Sequence, residues 1–272
     1  PRITLVSHAC LLIEWRGFRL LTDPWIEGSA FMGSWTQYPP PSITTKDIPQ
    51  LDAIWISHEH SDHFHKQTLS LLDKNVPIYL PTFLDKKLLN RVKNLGFKKI
   101  IELPPGQLYS IAENIEAMSF PIETYRTDSI LFLRFGTFSI LNVNDAGINW
   151  LIKDKIPKVD LICSQFSWGA TGYPLTWTNL TKDTKIRIMN DANKGYLKML
   201  KQLTEMFTPK FLIPFASPVW KVINKALISN KKVLCVGDNL NTDIKGANLQ
   251  NFDSLLISKG IHRQEIQNEN KE

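Results

Sequence analysis

The sequence predicts an α/β fold in which strands and helices alternate along the chain and a sheet is layered between helices. Short apolar runs bounded by turn residues recur along the chain, which is typical of strands. Segments with helical apolar periodicity lie among them, the longest at 182–207. With 272 residues, 43 % of them hydrophobic and 21 % charged, the chain has an ordinary globular composition and can bury a large core.

The first elements predicted are three strands joined by short links. Residues 3–6 and 10–14 form two of them, and the glycine after Arg16 marks a turn into a third strand at 18–22, which ends at Asp23. The segment 28–41 then has few periodic apolar residues, so it predicts a surface loop that roofs a site.

The rest of the chain continues the alternation. The predicted elements are a strand at 53–56, a helix at 65–72, a strand at 77–81, a helix at 83–95, strands at 99–102, 115–120, 129–135, 138–143 and 160–164, a helix at 182–207 and a strand at 211–215. The strand at 138–143 would deliver Asn144 and Asp145 to its end. Residues 165–174, rich in aromatic residues and glycine, predict a loop.

The hexapeptide HEHSDH, which follows the strand at 53–56, places four potential metal ligands within six residues. On an extended chain alternate side chains point the same way, so His58 and His60 can hold one cation. Asp62 and His63 lie where the chain turns into the next helix, which aims them at a second position nearby. Imidazole nitrogen and carboxylate oxygen are ligands that zinc, iron and manganese accept. Three of the six histidines fall here, which favours a metal site over a chance group of polar loop residues.

This motif at the end of a strand resembles the signature of the metallo-β-lactamase fold superfamily, whose members include hydrolases, nucleases, phosphodiesterases and oxygenases. The resemblance implies an αββα sandwich over residues 1–217. The chain resembles more specifically the metallo-β-lactamase-type domain of the CMP-N-acetylneuraminate hydroxylase family. It is more distantly similar to ascorbate-6-phosphate lactonases and N-acyl-phosphatidylethanolamine phospholipases. The further segments that carry this resemblance are 8–9, 21–25, 142–145, 169–174 and 213–217.

The resemblance also implies roles for individual residues. The residues that match the first ligand motif are His58, His60, Asp62 and His63. Asp145 matches a carboxylate that bridges two metals, and Asp62 would also orient the attacking water. Asp23 and His8 match polar positions that line the same pocket. A turn residue before proline and a buried, hydrogen-bonded histidine are the structural alternatives for these two positions.

Two departures from the superfamily pattern thin the expected ligand set. The superfamily supplies a histidine after the middle strands and another near the end of the domain, but neither 121–128 nor 216–220 contains one. Glu123 or Asp128 could substitute as an oxygen ligand. The expected cofactor is therefore one or two divalent metal ions, zinc or else iron or manganese, and a single harder ion is accommodated more easily than tight dinuclear zinc.

The function predicted from these features is metal-dependent hydrolysis, in which a metal-bound water attacks an ester, lactone or phosphodiester bond. The formal charge of +6 favours an anionic small-molecule substrate. One alternative is the iron-containing component of a CMP-sialate hydroxylase-like oxygenase. It would need a separate Rieske or other redox partner, because the sequence lacks a Cys/His set for such a cluster. A third alternative is a degenerate chain that binds metal without turnover.

The C-terminal segment, 218–272, predicts a βαβ fragment that resembles the last motif of haloacid dehalogenase-type phosphatases. In that motif Asp238 and Asp243 would bind magnesium. The family also needs a nucleophilic aspartate in a D-x-D motif, and no such motif occurs in the sequence. We therefore expect no functional magnesium site there, and the alternative for both aspartates is an acid-capped helix start.

The composition also limits where the protein works. The three cysteines lie far apart and indicate neither a disulfide framework nor a cysteine metal site. No apolar run approaches the roughly 20 residues that a membrane span requires. The sequence thus predicts a cytoplasmic protein without a membrane span. Its lysine-rich stretches indicate solvated helix faces, so no nucleic-acid partner is expected.

Overall fold

The computed structural model describes residues 1–33, 35–37, 40–41, 43–123, 127–147, 149–166 and 178–216, with the backbone of 232–237 and 253–256. The chain divides into two compact units, Pro1–Val159 and Asp160–Glu272. The boundary predicted from the sequence at 217–218 stays a prediction.

A six-stranded mixed sheet forms the first part of the Pro1–Val159 unit. Its strands, in spatial order, are β1 (Arg2–Ser7), β2 (Cys10–Trp15), β3 (Phe18–Thr22), β4 (Ala53–Trp55), β5 (Ile78–Pro81) and β6 (Ile100–Leu103). The first three are antiparallel, and β3 to β6 run parallel. Parallel strands end at the same edge, so Asp23 after β3 donates its backbone N–H to Trp55 O at 2.9 Å.

Two helices cover this sheet, α1 (Lys66–Leu71) and α2 (Lys87–Asn94). Their buried residues Leu69, Leu88 and Val92 join one apolar cluster with the strand residues. The helix predicted at 83–95 begins four residues later than expected. Lys86 has a φ of +53°, which a right-handed helix excludes, and Phe83 lies buried in the core ahead of it.

A second sheet in the same unit is an antiparallel meander. Its strands are β7 (Tyr109–Ala112), β8 (Ile115–Glu123), β9 (Thr127–Phe135) and β10 (Phe138–Asn144). The strand β7 was not predicted, because it has only four residues and none of them is buried. The two sheets meet at Ser129, whose hydroxyl donates to Ser57 O at 2.7 Å. The end of β10 therefore reaches the edge where β3 and β4 end.

The described residues of the Asp160–Glu272 unit form parallel strands and one long helix. Its elements are β11 (Leu161–Gln165), α3 (Lys182–Phe207), β12 (Phe211–Phe215), β13 (Lys232–Gly237) and β14 (Asp253–Leu256). The predicted helix at 182–207 is confirmed, with Thr181 as its N-cap and Leu200 and Leu203 buried. None of the helices described in this structure is both long and apolar enough to cross a membrane.

Candidate metal centre

A buried polar network forms the base of the candidate site. Asp23, which is fully buried, accepts hydrogen bonds at Oδ1 from Ser57 N at 2.7 Å and at Oδ2 from Ser57 Oγ at 2.7 Å. Asn144, at the end of β10, donates its Nδ2 to Asp23 Oδ2 at 2.5 Å. This network joins the ends of β3, β4 and β10, so it fixes the two sheets relative to each other beneath the histidines.

One group of potential ligands, the first donor group, consists of His58, His60 and Asp145. His58 Nε2 lies 2.9 Å from His60 Nδ1 and 4.0 Å from Asp145 Oδ2. His58 is buried, whereas His60 is exposed, so this group opens to solvent on the His60 side.

A second group of potential ligands, the second donor group, consists of His8, Asp62 and His63. Asp62 Oδ2 lies 3.2 Å from His8 Nε2 and 3.6 Å from His63 Nε2. The ring of His8 stands nearly edge-on to the rings of Trp25 and His63, with centroids 5.5 and 5.7 Å away. His8 comes from the turn between β1 and β2, so residues far apart in sequence complete this group.

Asp145 faces both groups. Its Oδ1 lies 3.6 Å from His63 Nε2, while its Oδ2 lies 4.0 Å from His58 Nε2. A carboxylate with one oxygen toward each histidine has the arrangement of a bridging ligand.

The ligand atoms of the second group fit a divalent cation in spacing, and those of both groups fit one in chemical type. Nitrogen and oxygen ligands that share an ion at about 2.0–2.2 Å lie roughly 3.2–3.6 Å apart in tetrahedral geometry. The distances of 3.2 and 3.6 Å around Asp62 Oδ2 match this spacing. Among the described residues, the buried Oδ1 of Asp62 has no hydrogen-bond partner. A buried carboxylate oxygen without a donor is costly, and a cation would satisfy it.

Two buried carboxylates lie behind the histidines. His63 Nδ1 lies 3.2 Å from Asp23 Oδ2, and His58 Nδ1 lies 3.3 Å from Asp128 Oδ1. In both rings the other nitrogen, Nε2, faces other potential metal ligands. A carboxylate behind a ligating histidine fixes the tautomer and the orientation of the ring, and it makes the ligand more basic.

The charges of the pocket shift its pKa values in opposite directions. Burial, together with the neighbouring His63, lowers the pKa of His58 to about 3. Burial by itself would lower the pKa of His63, but the carboxylates of Asp145 and Asp62 outweigh it and hold that pKa well above its ordinary value. Burial would raise the pKa of Asp62, yet His63 and the hydrogen bond from His8 leave it well below the usual range. His58 is therefore neutral, whereas His63 carries a proton that a cation would displace.

Not every residue considered from the sequence joins the two groups. Asp128 contacts the outer nitrogen of His58. Glu123 accepts a hydrogen bond from Leu84 N at 2.7 Å and belongs to neither group. His65 caps α1 by accepting from Thr68 N, and its Nε2 lies 3.1 Å from Ser29 O. Asp238 and Asp243 lie outside the described residues.

Sequence reasoning missed the role of Ser57 and gave none to Asn144. Ser57 immediately precedes the hexapeptide and contacts both Asp23 and His58 Nδ1, the latter at 3.0 Å. Its position next to His58 was the available signal. The sequence placed Asn144 at the end of its strand but could not give its contacts, because these come from chain segments 81 to 121 residues away.

Comparison with known proteins identifies the family. The model of the β-lactamase superfamily domain matches residues 2–138, half of the chain. The chain belongs to the β-lactamase superfamily. The predicted metallo-β-lactamase fold is thereby confirmed. A HAD-hydrolase-like family model matches residues 217–272, in agreement with the predicted resemblance of the tail.

The most similar curated relatives include hydroxylases. Cytidine monophosphate-N-acetylneuraminic acid hydroxylase of Danio rerio is 29 % identical over 229 residues, which are 79 % of this chain and 37 % of the relative. The chain spans less than half the length of the curated relatives that it matches first. The resemblance predicted from the sequence is confirmed at this level.

Solved structures share the fold at lower identity. CmlA, a diiron β-hydroxylase from Streptomyces venezuelae, has a TM-score of 0.55 and 21 % identity over 79 % of this chain and 44 % of its own. An isothiocyanate hydrolase from Delia radicum gut bacteria has a TM-score of 0.57 and 14 % identity over 95 % of this chain and 96 % of its own. At these identities the likeness concerns the fold alone.

Proposed function

We propose that this protein binds two divalent cations at the two donor groups and hydrolyses an ester, lactone or phosphodiester bond of an anionic small molecule. The observation that carries the proposal is the placement of Asp145, whose Oδ1 faces His63 and whose Oδ2 faces His58. A carboxylate shared in this way is suited to hold two cations side by side, and paired cations of this kind serve many hydrolases.

The mixed nitrogen and oxygen donors suit zinc, iron or manganese. When bound, such cations lower the pKa of a water molecule and polarise the bond that it attacks. We assign His58, His60 and Asp145 to one position and Asp62 and His63, with the second oxygen of Asp145, to the other. Neutral His58 can bind without losing a proton, because its pKa is lowered to about 3.

The chain's own side chains would orient the reactants. His8 Nε2 lies 3.2 Å from Asp62 Oδ2, so a residue of the first hairpin helps to orient this carboxylate. His60 is exposed, and its ring lies 6.4 Å from that of Phe31, whose backbone N–H donates to Ser61 Oγ at 2.7 Å. A substrate would therefore enter beside His60 and contact the loop that carries Phe31.

Reconstitution of the metal-free protein with zinc, manganese or iron(II) tests this proposal. The loaded protein should hydrolyse at least one member of a panel of carboxylic esters, lactones and phosphodiesters. The double variant His58→Ala/His60→Ala should lose activity and one equivalent of metal. Arg91→Ala is a matched control in the same region, since Arg91 donates to the Glu59 carbonyl but belongs to neither group. Metal uptake without turnover of any substrate class would favour the degenerate alternative, and activity that survives the double substitution would overturn the site.

A second candidate function is supported by the hydroxylase relatives. With 29 % identity over 229 residues, the chain could be the iron-containing component of an oxygenase that receives electrons from a separate Rieske or other redox partner. Oxygen electrode measurements on the iron-loaded protein, supplied with a reduced ferredoxin and a CMP-sugar, distinguish this candidate. Substrate-dependent oxygen uptake would replace hydrolysis as the assigned reaction.

A further inference from the structure

The turn between β1 and β2 contains a histidine where a different residue is expected. Ser7 pairs with Cys10, so His8 and Ala9 form a two-residue hairpin turn. His8 has a φ of +22°, in the region where hairpin turns favour glycine, asparagine or aspartate. A non-glycine residue held in such a conformation is strained, and strain of this kind is common at functional sites.

The imidazole of His8 is fixed by its surroundings. The rings of Trp25 and His63 lie 5.5 and 5.7 Å away at interplanar angles of 71° and 69°. Only 12 % of the side chain is exposed, so the ring is held with Nε2 toward Asp62. This packing limits the ring to one direction, which points into the second donor group.

Three donor atoms converge in that group. Asp62 Oδ2 lies 3.2 Å from His8 Nε2 and 3.6 Å from His63 Nε2, and the donor atoms of the three residues all lie within 4.8 Å of one another. Without His8, the second position would rest on Asp62, His63 and one oxygen of a shared Asp145. The buried Oδ1 of Asp62, which has no hydrogen-bond partner among the described residues, shows that His8 alone does not satisfy this carboxylate.

We infer that His8 is a ligand of the second cation and completes its coordination together with Asp62 and His63. This inference rests on the proposed metal centre and specifies its ligands. It gives a reason for a histidine in this turn in spite of its backbone conformation. It also explains how a chain with few histidines can build two positions, since a residue from the first hairpin contributes the missing imidazole.

Titration of the metal-free protein with cobalt(II) chloride, followed by visible absorption and metal analysis, tests the inference without an activity assay. The wild-type chain should take up two equivalents. His8→Asn should keep the first equivalent of cobalt and bind the second more than about 100-fold more weakly. Loss of a residue that only supports a metal ligand already lowers metal affinity by ~10–100-fold. Asparagine adopts a positive φ readily, so the His8→Asn variant should fold. Binding of the first equivalent of cobalt by this variant verifies that it is folded. His8→Asp, which restores an anionic ligand in the same turn, should recover part of the second equivalent.

His65→Asn is the matched control, because asparagine also caps helices and His65 belongs to neither group. It should bind two equivalents. Wild-type affinity for both equivalents in His8→Asn would overturn the role of His8 and leave the proposed function intact. A wild-type chain that binds no cobalt would contradict the proposed function itself.

Discussion

At the level of single residues, three polar residues of the pocket combine a strained backbone with contacts to the potential metal ligands. His8, Asp23 and Asn144 all have positive φ, at +22°, +37° and +55°. Each of them contacts a histidine or a carboxylate of the two donor groups. The surrounding contacts hold these conformations, which places the polar atoms where a cation can use them.

Asp23 should act as a positioning residue for His63. Asp23→Asn replaces a carboxylate that accepts from Ser57 and Asn144 with an amide that must turn a donor toward one of them. We expect a loss of about 1–3 kcal/mol in unfolding free energy and roughly 10–100-fold weaker metal binding. Urea denaturation and metal titration measure the two effects. Asp52→Asn is the control, since Asp52 accepts from Arg19 N at an exposed position, and an equal loss of metal affinity in both variants would contradict the assigned role.

Metal uptake should release a proton from His63. The pKa of His63 is held well above its ordinary value in the metal-free protein, and only the neutral imidazole binds a cation. Affinity should therefore rise with pH by about tenfold per unit while His63 is protonated, and fall as pH decreases. Calorimetric titrations in buffers of different ionisation enthalpy count the protons released. Affinity that does not change between about pH 6 and pH 8 would contradict this prediction.

The residues of the site could be predicted only in part. The ligand hexapeptide was recognisable because its four donors are adjacent in sequence and follow a strand. The contact between His8 and Asp62 spans 54 positions, and no local pattern encodes it. Asp128 was considered as a ligand, but only the fold shows that it contacts the outer nitrogen of His58.

At the scale of elements, α1 is attached to the segment after β3 through Thr68. Its Oγ1 accepts hydrogen bonds from Ile26 N and Glu27 N, both at 3.0 Å, and it lies 3.0 Å from His65 Nδ1. Thr68 is fully buried, and its hydrogen bond from Ile26 N is buried, whereas that from Glu27 N is partly buried. One hydroxyl thus links the start of α1 to residues 26 and 27.

Replacing that hydroxyl should destabilise the protein without changing its volume much. Thr68→Val leaves buried backbone donors without a partner, which should lower the unfolding free energy by about 2–3 kcal/mol. Thermal and urea denaturation measure the change. Thr82→Val is the control, because Thr82 makes a single described hydrogen bond, to Leu103 O, in a half-buried setting. A difference of less than about 0.5 kcal/mol between the two variants would contradict the anchoring role.

Most elements followed from local sequence, and the exceptions have physical causes. The strands β1 to β3 were predictable because apolar runs are separated by short polar turns. The start of α2 was not, since Asp85 binds the backbone N–H of Lys87 and Lys86 adopts a left-handed conformation. Apolar residues from 83 onward suggested a longer helix, but Phe83 is buried ahead of it.

At the scale of the whole molecule, all residues of the two donor groups belong to the Pro1–Val159 unit. The described part of the segment that matches the HAD-hydrolase-like model consists of the paired strands β13 and β14, both predicted from sequence. The chemistry proposed above therefore depends on the first unit.

The tail should contribute no phosphatase chemistry of its own. Asp238→Asn should leave hydrolysis unchanged, and magnesium should not support hydrolysis of phosphate monoesters, because the sequence lacks the D-x-D nucleophile. Steady-state assays with p-nitrophenyl phosphate and magnesium measure this. Monoester turnover that disappears in Asp238→Asn and persists in His58→Ala would assign the activity to the tail.

Asp145 would be a shared ligand of the two proposed cations. Anomalous diffraction from crystals of the manganese- or zinc-loaded protein tests it most directly. We predict two anomalous peaks about 3.5–4 Å apart, one beside His58 and His60 and one beside Asp62 and His63, with Asp145 between them. A single peak, or two peaks without Asp145 between them, would contradict the account.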